Sequence, residues 1–212
     1  KKWDYDVPSV EVWKEALRVL KPGGHALIAC GTRTQHRMVV NIEDAGFEIR
    51  DVVSWIYGSG FPKSLNIHKK DERCPEGWGT ALKPSSEFFT LCRKPIAEKT
   101  IAANVLKWGT GGINIDGCRV EATDGQNRSR DNSKCKGGDS FFEGKKRVNQ
   151  EIPAGTGRFP ANLIHDGSQE VLDLFPETKP NESAARFFYC AKASKKDRDE
   201  GNNHPTVKPT AL

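Results

Sequence analysis

The chain has 212 residues, 36% of them hydrophobic, a formal charge of +5 and a mean hydropathy of −0.64. That length suffices for one medium α/β domain plus an insertion, or for two small lobes, but with so few apolar residues long stretches must lie outside any packed core. No apolar run reaches the roughly 18 residues of a membrane helix and no signal peptide opens the chain, so a cytoplasmic protein without a membrane partner is expected.

Taken in chain order, Ser9 is placed to cap a helix in which Val12, Trp13, Ala16, Leu17 and Leu20 recur at helical spacing. Lys21-Pro22-Gly23-Gly24 ends it, because proline cannot continue the helix and glycine supplies the turn. Residues 25–30 form a short apolar run beside glycines, as a buried parallel strand would. A helix over about 34–45, closed by Gly46, and an alternating strand over 47–55 follow. This rhythm predicts a doubly wound α/β sheet, in which ligands sit beyond the carboxyl ends of the strands. The stretches directly after the strands, 31–34 and 57–64, therefore carry most functional interest.

Residues 87–94 read as a third strand, 100–107 as a short helix stopped at 108–112, and 113–120 as a further strand. From 121 to 157 periodicity vanishes and Gly, Asn, Ser, Asp and Lys dominate, which predicts a long loop or insertion. Between Arg128 and Arg147 seven basic residues face three acidic ones, an excess suited to phosphate contact or to an ordinary solvated loop. Order returns at 162–165, with a helix over 168–174 and a last strand over 186–192. The six cysteines are widely spaced without a C-x-x-C pair, so reduced thiols rather than metal ligands are expected.

Several short strings occur in a fixed order: WD…PS…W…LRVLKPGG, GTRT, EDAGFEIRD, W.YGSGFPKS, ALKPS.E, RKP, NIDGCRV, GRFPANLIHDGS, AKASKKDRD and HPTVKP. In that order they resemble the DNA amino-methyltransferases, the adenine N6 and cytosine N4 type, of the permuted class found in bacteriophages and restriction–modification systems. The resemblance spares mainly residues 121–157. It implies an α/β fold, an incomplete Rossmann-like methyltransferase sheet carrying a loop-rich target-recognition insertion. Its parts would be a core over 1–115, the insertion over 116–180, and a return to the core over 181–212. The cofactor implied is S-adenosylmethionine and the partner is double-stranded DNA, with a cognate restriction nuclease as a possible associate.

In that family the catalytic tetrapeptide (D/N/S)-P-P-(Y/W) precedes the WD…PS helix, and a glycine-bearing cofactor loop follows HPTVKP. Neither string occurs here, so a piece of a longer enzyme is expected, with the tetrapeptide upstream of Lys1 and no catalytic residue in the chain itself. The resemblance assigns His204, Pro205, Thr206 and Lys208 to the wall of the cofactor pocket; the residue-level alternative is a proline-bounded surface turn. Tyr57, Lys63 and Ser64, after a strand, are candidates for meeting a displaced base and its phosphate. Arg33 and Arg37, at a helix start, are candidates for phosphate contact or an exposed helical face. Arg119, Arg128, Arg130, Lys145, Lys146, Arg147 and Arg158 are candidate DNA contacts within the insertion. His165 and Asp166 read as a strand end with an Asp-Gly turn. The target is expected to be adenine rather than cytosine. The rival readings are a DNA-binding fragment without catalysis, and a methyltransferase of this fold acting on RNA, protein or a small molecule.

Overall fold

The computed structural model describes residues 6–121, 157–180 and 182–190. The described residues divide into two units, one drawn from 1–113 and 161–212, the other from 114–160.

Helix α1 (Val10–Val19) begins at Ser9, and its apolar stripe is Val10, Trp13, Ala16 and Leu17, continued by Leu20. Val12, expected in that stripe, is 53% exposed, because it lies one residue off the line along which the others recur. Strand β1 (His25–Cys30), helix α2 (Gln35–Asp44) and strand β2 (Glu48–Ile56) follow as the sequence rhythm predicts. The core gathers Met38, Ile42, Ala45, Phe47 and Cys92, with the α1 stripe and Ala26, Ile28 and Cys30 of β1 packed against them. Alternate β1 residues thus face both helices. Burial pushes the Cys92 thiol up to about 11, as befits a cysteine acting as a small core hydrophobe.

Strand β3 (Ser86–Arg93) inserts between β1 and β2 and runs antiparallel to both. The expectation of a buried parallel β1 is corrected by this register. Its strand neighbour is antiparallel, it stands at one end of the strand order, and its burial alternates as in a strand with one packed face. Strands β4 (Leu163–His165) and β7 (Tyr189–Cys190) extend the sheet in parallel with β2, giving the order β1-β3-β2-β4-β7. The last strand therefore starts at Tyr189 rather than at the expected 186, and residues 191–192 of the expected span lie outside the described residues. Ala184–Phe187 forms a 3-10 turn instead, started by the Ser183 hydroxyl accepting from the Ala185 N–H. Helix α4 (Gln169–Leu172) is a single turn, and β5 (Glu177–Lys179) with β6 (Glu182–Ser183) makes a small separate hairpin.

Helix α3 (Ile101–Trp108) has both ends written in its sequence: the Thr100 side chain accepts from the Ala103 N–H, and Gly109 takes the left-handed conformation that closes it. At the end of β3, Arg93 is buried and its guanidinium donates twice to Glu48 of β2, at 2.5 and 2.9 Å.

In the smaller unit, residues 113–120 are not the expected strand. Asn114 accepts from the Gly117 N–H, an Asx turn that diverts the backbone into a 3-10 turn at Asp116–Cys118. Among the described residues of this stretch, Val120 alone pairs, with Arg158.

Candidate functional site

Because β1, β2, β4 and β7 run the same way, their carboxyl ends, together with the start of β3, lie along one edge of the sheet. Neighbouring strands stand about 4.8 Å apart, so the turn after β1 and the turn after β2 are separated by roughly 10 Å. Among the described residues three turns leave this edge: 31–34 after β1, 57–58 after β2 and 166–168 after β4. Cys190, the end of β7, completes the row by pairing with His165.

The second and third turns are joined. Asp166 Oδ2 accepts from the Gly58 N–H at 3.0 Å, while Oδ1 accepts from the Ser168 N–H at 2.9 Å and the Ser168 hydroxyl at 2.7 Å. The Asp166 N–H donates to Ile56 O, so strand pairing continues into the turn. A Cβ on the buried Gly58 would lie 2.5 Å from Ser168 Oγ, which shows how closely the two turns meet. Beneath them His165 is 2% exposed, and its Nδ1 accepts from the Gly167 N–H at 3.1 Å. Its ring meets Phe175 at 5.8 Å, and Phe175 in turn meets Phe188 at 5.4 Å.

Burial pushes the Asp166 carboxyl up, but the hydrogen bonds from Ser168 and Gly58 more than offset it and hold it below the ordinary range. A depressed carboxylate contributes stability above its unfolded value, and that contribution is lost as pH falls through the folded one. Asp166→Asn is accordingly expected to cost about 1 kcal/mol at neutral pH. The gap to the native protein should close as pH drops below the ordinary carboxylate range. Denaturant unfolding at neutral and acid pH checks this, and a gap that widens in acid would contradict it.

The sequence candidates take distinct places. Tyr57 stands at the edge, half-buried, its N–H donating to Ser85 O at 3.0 Å. Lys63 is exposed a few residues further on. Ser64 has a structural task, its hydroxyl accepting from the N–H groups of Thr80 at 3.0 Å and Ala81 at 3.3 Å. Arg33 is exposed in the turn after β1. Arg37, also exposed, lines a shallow hollow with Asp6, His36 and Asn41. In the smaller unit Arg119 is largely buried: it donates to Asp116 at 2.7 Å and lies 5.9 Å from the centre of the Phe159 ring. The Arg158 backbone pairs in both directions with Val120, at 2.7 and 3.0 Å. Arg128, Arg130, Lys145, Lys146 and Arg147, and His204, Pro205, Thr206 and Lys208, lie outside the described residues. So does Lys1, and the expectation of a catalytic tetrapeptide upstream of it concerns sequence beyond this chain.

Sequence reasoning passed over Asp166 as a turn residue. Its position directly after a strand was the available signal; its bond to Gly58, 108 positions away, was not.

An α/β sheet whose turns are gathered at the carboxyl ends of its parallel strands is the framework of proteins that hold nucleotides and cofactors at that edge. The chain matches the family profile described as DNA methylase, of the N6/N4 methyltransferase kind, over residues 3–212, and it belongs to that family. It is 32% identical over 116 residues to the type II methyltransferase M.HindIII of Haemophilus influenzae. That alignment covers 50% of this chain, and the chain spans 38% of the relative's length. Among solved structures it is similar to the M1.HpyAVI–SAM complex, at 21% identity over 44% of this chain and 40% of the other, with a TM-score of 0.32. M1.HpyAVI alone gives 21% identity, 41% and 39% coverage, and a TM-score of 0.30.

Proposed function

We propose that the protein carrying this chain transfers a methyl group from S-adenosylmethionine to an exocyclic amino group of a base in double-stranded DNA, adenine in preference to cytosine. The observation that carries the reading is the family match over nearly the whole chain. A role within a restriction–modification system, beside a cognate nuclease, belongs to the same reading. On this reading the tetrapeptide that orients the amine belongs to another part of the protein, since no such string occurs within the chain.

The chemistry sets what the residues must do. An exocyclic amine is a poor nucleophile because its lone pair is delocalised into the ring, and in a duplex it is shut inside the stack. The base must therefore leave the helix and be held by stacking and edge hydrogen bonds. The cofactor, when bound, supplies an electrophilic methyl on a sulfonium, and most of the acceleration comes from aligning nitrogen with that carbon. On this reading His204, Pro205, Thr206 and Lys208, downstream of β7, wall the cofactor through backbone and side-chain hydrogen bonds. Tyr57, at the end of β2, faces the displaced base, and Lys63, Arg33 and Arg37 meet phosphates. The basic residues of 128–147, with Arg158, are on this reading further DNA contacts.

Calorimetric titration of the full-length protein with S-adenosylmethionine tests the cofactor half of this reading. Losing one polar partner, in His204→Ala or Lys208→Ala, is expected to weaken binding about tenfold. Unchanged affinity in both variants would remove the cofactor role from this segment.

A further inference from the structure

The excursion between β2 and β3, residues 57–85, has a single buried residue, Gly58, yet it is held in one shape by polar clasps. Beyond the Ser64 hydroxyl's bonds to Thr80 and Ala81, Thr80 Oγ1 accepts from the Leu65 N–H at 3.0 Å. The Ile67 N–H donates to Trp78 O at 3.1 Å, and Asn66 pairs with Gly79. At its root, Tyr57 is bound to Ser85 and Gly58 to Asp166, so the excursion springs from the carboxyl end of β2.

On this scaffold four large apolar side chains stand in solvent: Phe61 at 76%, Leu65 at 47%, Trp78 at 62% and Leu82 at 91% exposure. A single exposed apolar residue is ordinary, whereas four on one short clasped element suit a contact surface. Exposed Lys63, Lys69, Lys70 and Lys83 are interleaved with them. Of the three acids, Asp71 is engaged by Arg73 at 2.6 Å, whereas Glu72 and Glu76 are exposed, which leaves the cations in the majority.

We propose that residues 57–85 form a DNA-contacting arm, separate from the 121–157 insertion, in which Trp78 stacks against bases opened beside the target and the lysines meet the flanking phosphates. The inference rests on the DNA reading above and assigns it a further contact surface. Flat aromatic faces set among cations suit unstacked nucleic acid, because every base offers a π-face and every nucleotide a charge. Lysine is depleted in protein–protein interfaces, which favours DNA over a protein partner.

The test uses full-length protein and two labelled duplexes of one sequence, fully paired or with a single mismatch, read by fluorescence anisotropy. Trp78→Ala is expected to bind the mismatched duplex about tenfold more weakly, with Trp78→Phe recovering most of the loss. Melting temperature and S-adenosylmethionine affinity should stay unchanged, since the ring is in solvent. Lys69→Ala with Lys70→Ala should lower the slope of log affinity against log salt by about two. Native-like binding by Trp78→Ala, or a loss accompanied by a fall in melting temperature, overturns the arm. If that occurs while the native protein still methylates DNA, the arm fails alone; a native protein that neither binds nor methylates DNA fails the function as well.

Discussion

Gly60→Ala is expected to reduce methyl transfer by the full-length protein about a hundredfold while leaving the sheet folded. A Cβ at position 60 would lie 1.7 Å from the carbonyl oxygen of Pro84 and 2.8 Å from its carbonyl carbon. These are backbone atoms, so no rotamer change relieves the overlap, and the two sides of the excursion must move apart by more than an ångström. The displacement falls between Tyr57 and the Ser64 clasp, where the proposed base-facing edge passes into the arm. Misplacing a positioning element by about 1 Å costs on the order of 10²-fold in rate. The sheet should be spared, because the core residues lie in α1, α2, β1 and β3 and at Ala45 and Phe47, none of them in the excursion. Steady-state rates with circular dichroism on the same sample check this. A variant with native activity would show that the excursion is not part of the working site.

Asn104→Ala is expected to destabilise the larger unit by about 3 kcal/mol. Asn104 is fully buried in α3 and ties together three separate pieces of backbone. Its Oδ1 accepts from the Ala97 N–H at 3.0 Å, and its Nδ2 donates to Pro22 O at 2.9 Å and to Thr110 O at 2.8 Å. Alanine would strand those partners and leave a small void. The Thr110 hydroxyl still reaches Pro22 O at 2.6 Å, which limits the damage to that carbonyl. Chemical denaturation gives the answer, and a loss under about 1 kcal/mol would mean that water replaces the amide without penalty.

Periodicity made the first half of the fold legible. Helices α1 to α3 and strands β1 to β3 lie within a few residues of where apolar spacing and glycine or proline punctuation put them. Pairing was not legible, because a short apolar run looks the same whether its neighbour is parallel or antiparallel. The position of β3 between β1 and β2 depends on contacts far apart in sequence. At the candidate site, the position of the stretch after β2 at the carboxyl edge of the strands was legible from the order of the elements. The order within 57–85 was not, since it rests on hydroxyl-to-backbone bonds such as Ser64 to Thr80, which leave no periodic trace. Residues 113–120 were misjudged for a related reason: Asn114 and Gly117 supply turn chemistry that outweighs the β-branched residues around them.

The most direct measurement follows the methyl group itself. Full-length protein is incubated with amplified, unmethylated duplex and S-adenosylmethionine labelled in the methyl, and the DNA is digested to nucleosides and resolved by mass spectrometry. The label should appear on the N6 nitrogen of adenine. Label on the N4 nitrogen of cytosine would keep the amino-methyltransferase reading and reverse the choice of base, whereas label on carbon 5 of cytosine, or none on the DNA, would contradict it.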